Sequence, residues 1–322
     1  MHLALGGCLK APPVSYGITP DTGGHIAYIL EAASHQIRRD DVSNVIIVTR
    51  RFDDRRFDPI HNMPIEDIDE NLLKEAYKVL TDKSNCMLFL GGEFLDEESL
   101  NVAAKIATKT GARLGTETFR KRQRRGQSIP VVEPLPYFSE MAEDFLKGIE
   151  SIVFVGSKPP VSFFAYPDKK SYLSPENSKL VQLATFEQDG RKALESLREM
   201  LNANEISEEF LPSPTNPAPL NGELNAAHVG SLIGELLPEE AIVSDEAATS
   251  GFAVYPNTWN SKPHDWLSLT GGSIGQGLPL ATGAAIACPD RPVVCLHGDG
   301  GAMYTIQSLW TQARESLNVT NI

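Results

Sequence analysis

One acidic residue lies inside a glycine-rich turn near residue 300, where an apolar run gives way to a helical pattern. The segment Gly298-Asp299-Gly300 follows residues 292–296, whose β-branched apolar character is typical of a buried parallel strand. Residues 305–314 then place apolar side chains on one helical face. Glycines let a turn approach an anion, and Mg²⁺ bridges carboxylates to phosphate oxygens. The pattern predicts Mg²⁺ and a diphosphate at Asp299, with an ordinary β-turn as the alternative.

Two further strand and loop units precede this turn. Residues 241–243 are apolar and are followed by polar and small residues to Gly251, and residues 266–277 end in a glycine-rich loop before a helix of small residues at 280–287. The ends of three such units are predicted to converge, because ligands of parallel α/β sheets bind at the carboxyl ends of the strands. By itself, the glycine-rich loop also fits a turn before a packed helix, and its loose match to a dinucleotide motif is weak evidence.

This ordered set of motifs resembles the diphosphate-binding domain of thiamine diphosphate enzymes of the acetolactate synthase and benzoylformate decarboxylase group. The resemblance extends from about Asn221 to the C-terminus. It implies thiamine diphosphate as cofactor, Mg²⁺ bound by Asp299, and Ile274 wedged beneath the thiazolium ring. The other cofactor contacts that it implies are Ala248, Thr249, Gly272, Ser273, Gly298, Gly300 and Gly301.

The middle of the chain predicts a parallel α/β domain of its own. Apolar runs at 85–90 and 151–155 flank a helical pattern at 96–110, and this order of strand, helix and strand is typical of a sheet covered on both faces. Residues 158–167, which include three aromatic side chains and three prolines, resemble the central domain of an acetolactate synthase-like branch, and we expect these rings to pack. Some relatives bind FAD in this domain, which Gly156 at a strand end permits without requiring it.

The N-terminal region has a different character. Residues 16–30 combine a glycine loop with an amphipathic helical pattern, and residues 44–50 read as a buried strand. Such a loop can receive phosphate or sugar hydroxyl groups. The segment resembles the start of GT-B glycosyltransferases of the sucrose-phosphate synthase type over roughly the first sixty-odd residues. We favour an inactive βα fragment, because isolated half-domains bury little surface.

The sequence therefore predicts an α/β fold in which a short βα glycosyltransferase-like fragment precedes Rossmann-like parallel-sheet domains. The predicted boundaries are 1–66 for the fragment, 67–203 for the central domain, 204–221 for a proline-rich linker and 222–322 for an incomplete diphosphate domain. The resemblance implies an activating glutamate on a separate pyrimidine-binding domain and a second Mg²⁺ ligand beyond Ile322. No catalytic residue is assigned, and we expect a chimeric or truncated chain that is inactive in isolation.

By resemblance, the reaction is decarboxylation of a 2-keto acid with carboligation or aldehyde release. The implied partners are a second copy of the chain or an intact homologous subunit, since the loop around Ile274 and Leu278 and the strand 319–322 are expected to be left uncovered. Two alternatives stay open: a glycosyltransferase fragment, and a non-catalytic cofactor-domain remnant that associates with intact subunits.

Composition narrows the function classes. The 322 residues carry a net charge of −13, which disfavours nucleic-acid binding, and the basic run 120–125 is expected to flank a solvated turn. No apolar stretch approaches the ~18 residues of a membrane span, so we expect a cytoplasmic protein without membrane contact. The four cysteines have no metal-ligand spacing and are expected to be reduced. His297 is expected to pack at a strand end.

Overall fold

A computed structural model describes residues 2–4, 47–49, 70–82, 85–164, 167, 170–186, 188–213 and 222–322. Internal contacts divide the chain into two units, Met1–Asp69 and Glu70–Ile322. In the first unit, β1 (His2–Ala4) and β2 (Ile47–Thr49) pair in parallel. The glycine loop and helix predicted for residues 16–30 lie outside the described residues, so the glycosyltransferase-like interpretation stays a prediction.

The second unit contains a five-stranded parallel sheet with the strand order β6-β4-β3-β7-β8. Its strands are β3 (Cys86–Leu90), β4 (Arg113–Thr116), β6 (Glu133–Pro134), β7 (Ser151–Val155) and β8 (Lys179–Ala184). Helices α1 (Glu70–Thr81), α2 (Glu97–Thr110), α3 (Ser139–Leu146) and α4 (Gly190–Leu201) belong to the same region. The order of strand, helix and strand predicted for this region is confirmed.

The local sequence explains how this sheet forms. All five residues of β3 and all five of β7 are buried, as expected for the centre of a sheet that is covered on both faces. Helix α2 begins where the Asp96 carboxylate accepts hydrogen bonds from the backbone N–H groups of Glu98 and Ser99. The helix ends at Gly111, whose φ of 74° is favourable for glycine.

A second sheet has the strand order β12-β11-β9-β10-β5. Strands β9 (Ile242–Glu246), β10 (His264–Ser268), β11 (Val293–His297) and β12 (Val319–Asn321) are parallel, and β5 (Gln123–Arg125) joins the edge in antiparallel orientation. The helices of this region are α5 (Ala226–Leu236), α6 (Ala248–Gly251), α7 (Val254–Asn257), α8 (Gly277–Ala287), α9 (Asp299–Ala302) and α10 (Gln307–Arg314).

Two apolar clusters hold the second sheet. One joins α5 to β9, β10 and β11 through Ile233, Val243 and Leu296, among others, and the other joins α8 to β9 and β11. Leu278 belongs to the second cluster and is only 2% exposed, so the expectation that it is left uncovered is wrong. Its position in the first turn of α8 points it at the sheet. Ile274, which precedes the helix, is 59% exposed, as expected.

The basic run 120–125 does not flank a solvated turn, contrary to the expectation from sequence. Its residues 123–125 form β5, which pairs with β10 at the edge of the second sheet. The side chains of Gln123 and Arg125 are buried, and that of Arg124 is partly exposed. Arg122 donates from Nε to Asp265 Oδ1 at 2.9 Å, and Arg124 binds the carboxylate of Glu240. These partners lie more than a hundred residues along the chain, and for that reason local sequence could not indicate them.

Arg125 is the most deeply buried arginine of this run, with 0% exposure. Its guanidinium carbon lies 3.7 Å from the ring centroid of Tyr255 and 3.8 Å from that of Trp259, and Nη2 donates to the Tyr255 carbonyl at 2.6 Å. Burial lowers the pKa of Arg125 to about 10, because it penalises the charged form. The aromatic faces offset part of this cost. The arginine thereby fixes β5 to the second sheet.

The remaining predictions concern the cysteines, membrane spans and the proline-rich linker. Cys86, Cys288 and Cys295 are free thiols there, in agreement with the reduced state predicted for them, and Cys8 lies outside that part. No helix in the described ranges combines the length and the apolar character that crossing a bilayer requires. Residues 214–221 of the predicted linker are not described. Residues 204–213 contact the segment before β6, because the Val131 N–H donates a hydrogen bond to the Phe210 carbonyl.

The stability of the second sheet should fall in mild acid because of His264. This residue, which is the first of β10, is 0% exposed, and burial lowers its pKa from 6.5 to about 4. As the pH falls from about 6.5 to about 4, the unfolded chain takes up the proton first, so stability is progressively lost. We expect a loss of roughly 3 kcal/mol in urea unfolding. His264→Gln should remove this part of the pH dependence, and an equal loss in that variant would contradict the assignment.

Candidate cofactor site

The carboxyl ends of three parallel strands meet at one edge of the second sheet. Glu246 at the end of β9 is aligned with His297 at the end of β11, and Asp245 is aligned with Ser268 at the end of β10. The loops that follow these strands contain the residues for which the sequence predicted cofactor contacts. The structure therefore brings the three strand and loop units together, as the sequence predicted.

Glu246 holds these loops in place, a function that sequence reasoning missed. Its side chain is 4% exposed and accepts hydrogen bonds from the backbone N–H groups of Gly275 at 2.5 Å and Gly277 at 2.6 Å. The same carboxylate lies 3.0 Å from Nε2 of His297, whose side chain is also 4% exposed. One buried carboxylate thus ties the glycine-rich loop to the strand that leads into the Gly-Asp-Gly turn. The available signal was the pair of acidic residues, Asp245 and Glu246, that ends this strand.

Backbone contacts complete the connection between the two loops. Gly298 donates its N–H to the Glu246 carbonyl at 3.2 Å, and the Thr305 hydroxyl donates to the Gly275 carbonyl at 2.7 Å. The expected packing of His297 agrees with its burial, although its contact with Glu246 was not predicted.

A second carboxyl, that of Asp245, lies beside Glu246 and faces β10. It accepts hydrogen bonds from Trp266 Nε1 at 3.2 Å and from the Ala247 N–H at 3.1 Å. Burial raises the pKa of Asp245, because it penalises the charged form more than these hydrogen bonds favour it. The contact with Trp266 links the end of β9 to the aromatic side chains around Arg125.

The predicted contacts on the first two loops occupy exposed positions. Ala248 and Thr249 are the first residues of α6, and Ala248 has a φ of 44°, a left-handed conformation that costs energy for a residue with a Cβ. Gly272 and Ser273 lie at the end of a 3₁₀ turn, where Gly272 has a φ of 67°. Ile274 follows directly and presents its side chain to solvent. Their cofactor contacts stay predictions.

The Gly-Asp-Gly turn has space around it. Asp299 is exposed at the start of α9. A Cβ added to Gly300 would meet no atom within 4 Å, and one added to Gly298 would come no closer than 3.8 Å to another group. At Gly301 an added Cβ would lie 3.0 Å from the His297 ring, so packing explains the absence of a side chain there. A diphosphate group has room to approach the turn at its first two glycines.

The sequence predicted Asp299 as the Mg²⁺ ligand, and this role stays a prediction. Among the described residues, no three His, Cys, Asp or Glu side chains are grouped so that they could hold a metal ion. Mg²⁺ commonly uses one or two carboxylates and completes its shell with phosphate oxygens and water. The Asn321 amide near the C-terminus donates to Gln312 Oε1 at 2.8 Å.

The first sheet gives no support for FAD. Gly156 has a φ of 66°, but a Cβ there would lie 2.3 Å from the Phe94 ring, so internal packing accounts for the glycine. The N–H groups of Gly91 and Gly156 donate to the carbonyls of Val155 and Ala184 at 2.9 Å. These strand-end donors are therefore not available to a diphosphate, and the described residues do not fit that part of a flavin dinucleotide.

The geometry defines an α/β domain with three loops and one exposed carboxylate at the carboxyl edge of its sheet. Residues 248–322 match the family of the C-terminal TPP-binding domain of thiamine pyrophosphate enzymes. This stretch is therefore similar to the C-terminal cofactor domain of that enzyme family.

Individual relatives extend the match into the first sheet. The acetolactate synthase-like protein IlvX of Mycobacterium tuberculosis is 43% identical over 245 residues, which cover 76% of this chain and 47% of the relative. Benzoylformate decarboxylase of Pseudomonas aeruginosa is 35% identical over 106 residues, or 33% of this chain and 20% of that enzyme.

Among solved structures, the thiamine diphosphate-dependent 4-hydroxybenzoylformate decarboxylase of Rhodococcus jostii RHA1 superposes with a TM-score of 0.61 at 22% identity. The superposition covers 81% of this chain and 53% of that one, and it shows a shared fold. The chain thus spans about half the length of IlvX and of this decarboxylase.

Proposed function

We propose that this chain binds Mg²⁺ and thiamine diphosphate as a portion of an acetolactate synthase-like or 2-keto acid decarboxylase-like enzyme. The observation that supports this proposal is the buried Glu246 carboxylate, which joins the glycine-rich loop to the strand before the Gly-Asp-Gly turn. When bound, the cofactor supplies the electron sink that stabilises the carbanion left by decarboxylation. The substrate class is a 2-keto acid.

The residues of this chain would bind and orient the cofactor. Asp299 would hold Mg²⁺, with Gly298, Gly300 and Gly301 in the turn beside the diphosphate. Ala248 and Thr249 would lie on the other side of that group. Backbone atoms of Gly272 and Ser273 would hold the aminopyrimidine, and Ile274 would support the thiazolium ring. Glu246 positions the neighbouring Gly275 and Gly277 through its carboxylate and Gly298 through its carbonyl, and Ala248 and Thr249 follow the strand that it ends.

We further propose that a second subunit, either another copy or an intact homologue, covers this edge and supplies the activating glutamate. Exposed apolar side chains near the loops support this proposal, since such patches mark interaction sites. Ile274 and Tyr304 are 59% and 68% exposed, and Phe252, Met303 and Trp310 are exposed as well. On this proposal the chain alone does not turn over substrate.

Calorimetric titration with thiamine diphosphate tests the binding function. We expect weak binding that requires Mg²⁺ and disappears with EDTA. The binding should be weak because this chain contacts the cofactor from one side only. Thiamine monophosphate, which has one phosphate fewer, should bind more weakly still. Absence of binding at millimolar cofactor and Mg²⁺ would overturn the proposal and favour a remnant that only associates with intact subunits.

The glycosyltransferase alternative rests on residues 16–30, which the structure does not describe. We expect no transfer from common nucleotide sugars, and product formation that Gly24→Val abolishes would favour this alternative. Such a result would leave the calorimetric test of the C-terminal domain unaffected.

A further inference from the structure

A cavity of about 260 Å³ lies at the carboxyl edge of the first sheet, separate from the Gly-Asp-Gly turn. Its lining includes Phe89 in β3, Glu117 directly after β4, and Lys158 three residues after β7. Gly271, from the loop after β10, also lines it. Its volume is near the lower end of the ~300–1,000 Å³ range of small-molecule sites. Ligands of parallel α/β sheets bind at this edge.

Most of the cavity wall is apolar and aromatic. Phe119 and Phe163 meet edge to face with their ring centroids 4.9 Å apart, and Leu135 and Val161 extend the apolar lining. Phe163 and Val161 are about half-exposed, so the wall reaches the surface. Rings in this arrangement favour a flat apolar group as occupant.

Two side chains give the cavity its polar character. Burial raises the pKa of Glu117 to about 7, against the opposing effects of the Gly92 N–H, Arg120 and Lys158. Arg120 is occupied by backbone carbonyls, since its Nη1 donates to Thr118 O at 2.6 Å. Within the described residues, Lys158 forms no ion pair with a carboxylate, and its Nζ lies 5.6 Å from the ring centroid of Phe186.

These groups determine which ligand charge is favourable. A carboxyl group whose pKa is about 7, as for Glu117, is present partly in its protonated form at neutral pH, and the Lys158 ammonium group lines the same cavity. The cavity therefore presents one cation together with a carboxyl group that can donate a hydrogen bond. A ligand carboxylate would be attracted to the Lys158 cation and would accept a hydrogen bond from protonated Glu117. An ammonium ligand would be repelled by Lys158.

We propose that this cavity binds a small, flat, apolar monocarboxylate, whose carboxylate lies between Lys158 and Glu117 and whose body lies against Phe119 and Phe163. Gly271 lines the cavity, so such a ligand would lie next to the loop that continues with Gly272 and Ser273. The ligand would therefore contact the loop predicted to hold the aminopyrimidine while occupying a separate site.

The test uses 4-fluorophenylacetate as the probe, with ¹⁹F NMR line broadening on the whole chain. We expect saturable binding whose affinity falls about tenfold from pH 6 to pH 8, because deprotonated Glu117 repels the probe. Glu117→Gln keeps a neutral donor and should bind equally at both pH values. Lys158→Met should lose at least about tenfold in affinity. Lys109→Met, an exposed lysine outside the cavity, is the matched control.

Several outcomes would overturn the proposal. No saturable broadening at millimolar probe would mean that the cavity does not bind this class of ligand. An unchanged pH dependence in Glu117→Gln, or unchanged affinity in Lys158→Met, would place the probe elsewhere. Displacement of the probe by micromolar FAD would assign the cavity to a flavin. Equal binding of the uncharged 4-fluorophenylacetamide would remove the role of the carboxylate.

Discussion

Replacing Glu246 with alanine should destabilise the second unit by about 2–6 kcal/mol, because two buried N–H groups lose their acceptor at a cost of about 1–3 kcal/mol each. The Glu246 carboxylate is 4% exposed, accepts hydrogen bonds from the N–H groups of Gly275 and Gly277, and lies 3.0 Å from the His297 ring. Alanine would remove the acceptor of both N–H groups and the contact with the imidazole. Urea unfolding followed by circular dichroism at neutral pH measures the loss.

A matched control and a mutant cycle make this prediction specific. Glu239→Ala removes an exposed carboxylate close to the same strand and should change stability by less than about 0.5 kcal/mol. The cycle of Glu246→Ala and His297→Ala should show a coupling above about 0.5 kcal/mol, since residues in contact do not act additively. Independent effects of the two substitutions would show that the 3.0 Å contact contributes nothing to stability.

Replacing Asp299 with alanine should abolish the Mg²⁺-dependent part of thiamine diphosphate binding. Among the described residues, the Asp299 carboxylate does not belong to a larger group of metal-ligating side chains, so no neighbouring carboxylate can substitute for it. We expect a loss of at least about a hundredfold in affinity, beyond the 10–100-fold typical of residues that only support a metal ligand. The side chain is exposed, so the fold should be unaffected.

Calorimetry with and without EDTA measures this effect. Asp290→Ala is the appropriate control, because it removes another exposed aspartate from the turn before β11 and should leave the isotherm unchanged. An isotherm that is the same in Asp299→Ala and the parent chain, with Mg²⁺ still required, would show that the metal binds at another group. The role assigned to the turn would then be wrong.

The elements that local pattern could specify agree with the structure. Strands β3, β7 and β11 are short apolar runs, and α2 has its capping aspartate and terminal glycine, so each carries its signal within a few residues. The loops at the carboxyl edge of the second sheet were predicted for the same reason, because glycines and Asp299 stand directly after apolar strands.

Features that depend on distant partners could not be predicted in this way. β5 consists of polar and basic residues, and it forms a strand only because β10, Asp265, Glu240 and the aromatic rings around Arg125 accommodate it. The position of Glu246 depends on two N–H groups about thirty residues away. Leu278 was expected to be exposed because the sequence does not show which face of α8 meets the sheet.

The antiparallel strand β5 also affects the order in which the chain can fold. Its partner β10 lies about 143 residues later, as the contact of Arg122 with Asp265 shows. At ~5–20 residues per second, a ribosome synthesises that interval in on the order of ten seconds. During this time Arg122, Arg124 and Arg125 lack their later partners Asp265, Glu240 and Tyr255. Closure of that loop is entropically costly, so pairing of β5 with β10 is expected to be a late step that completes the second sheet.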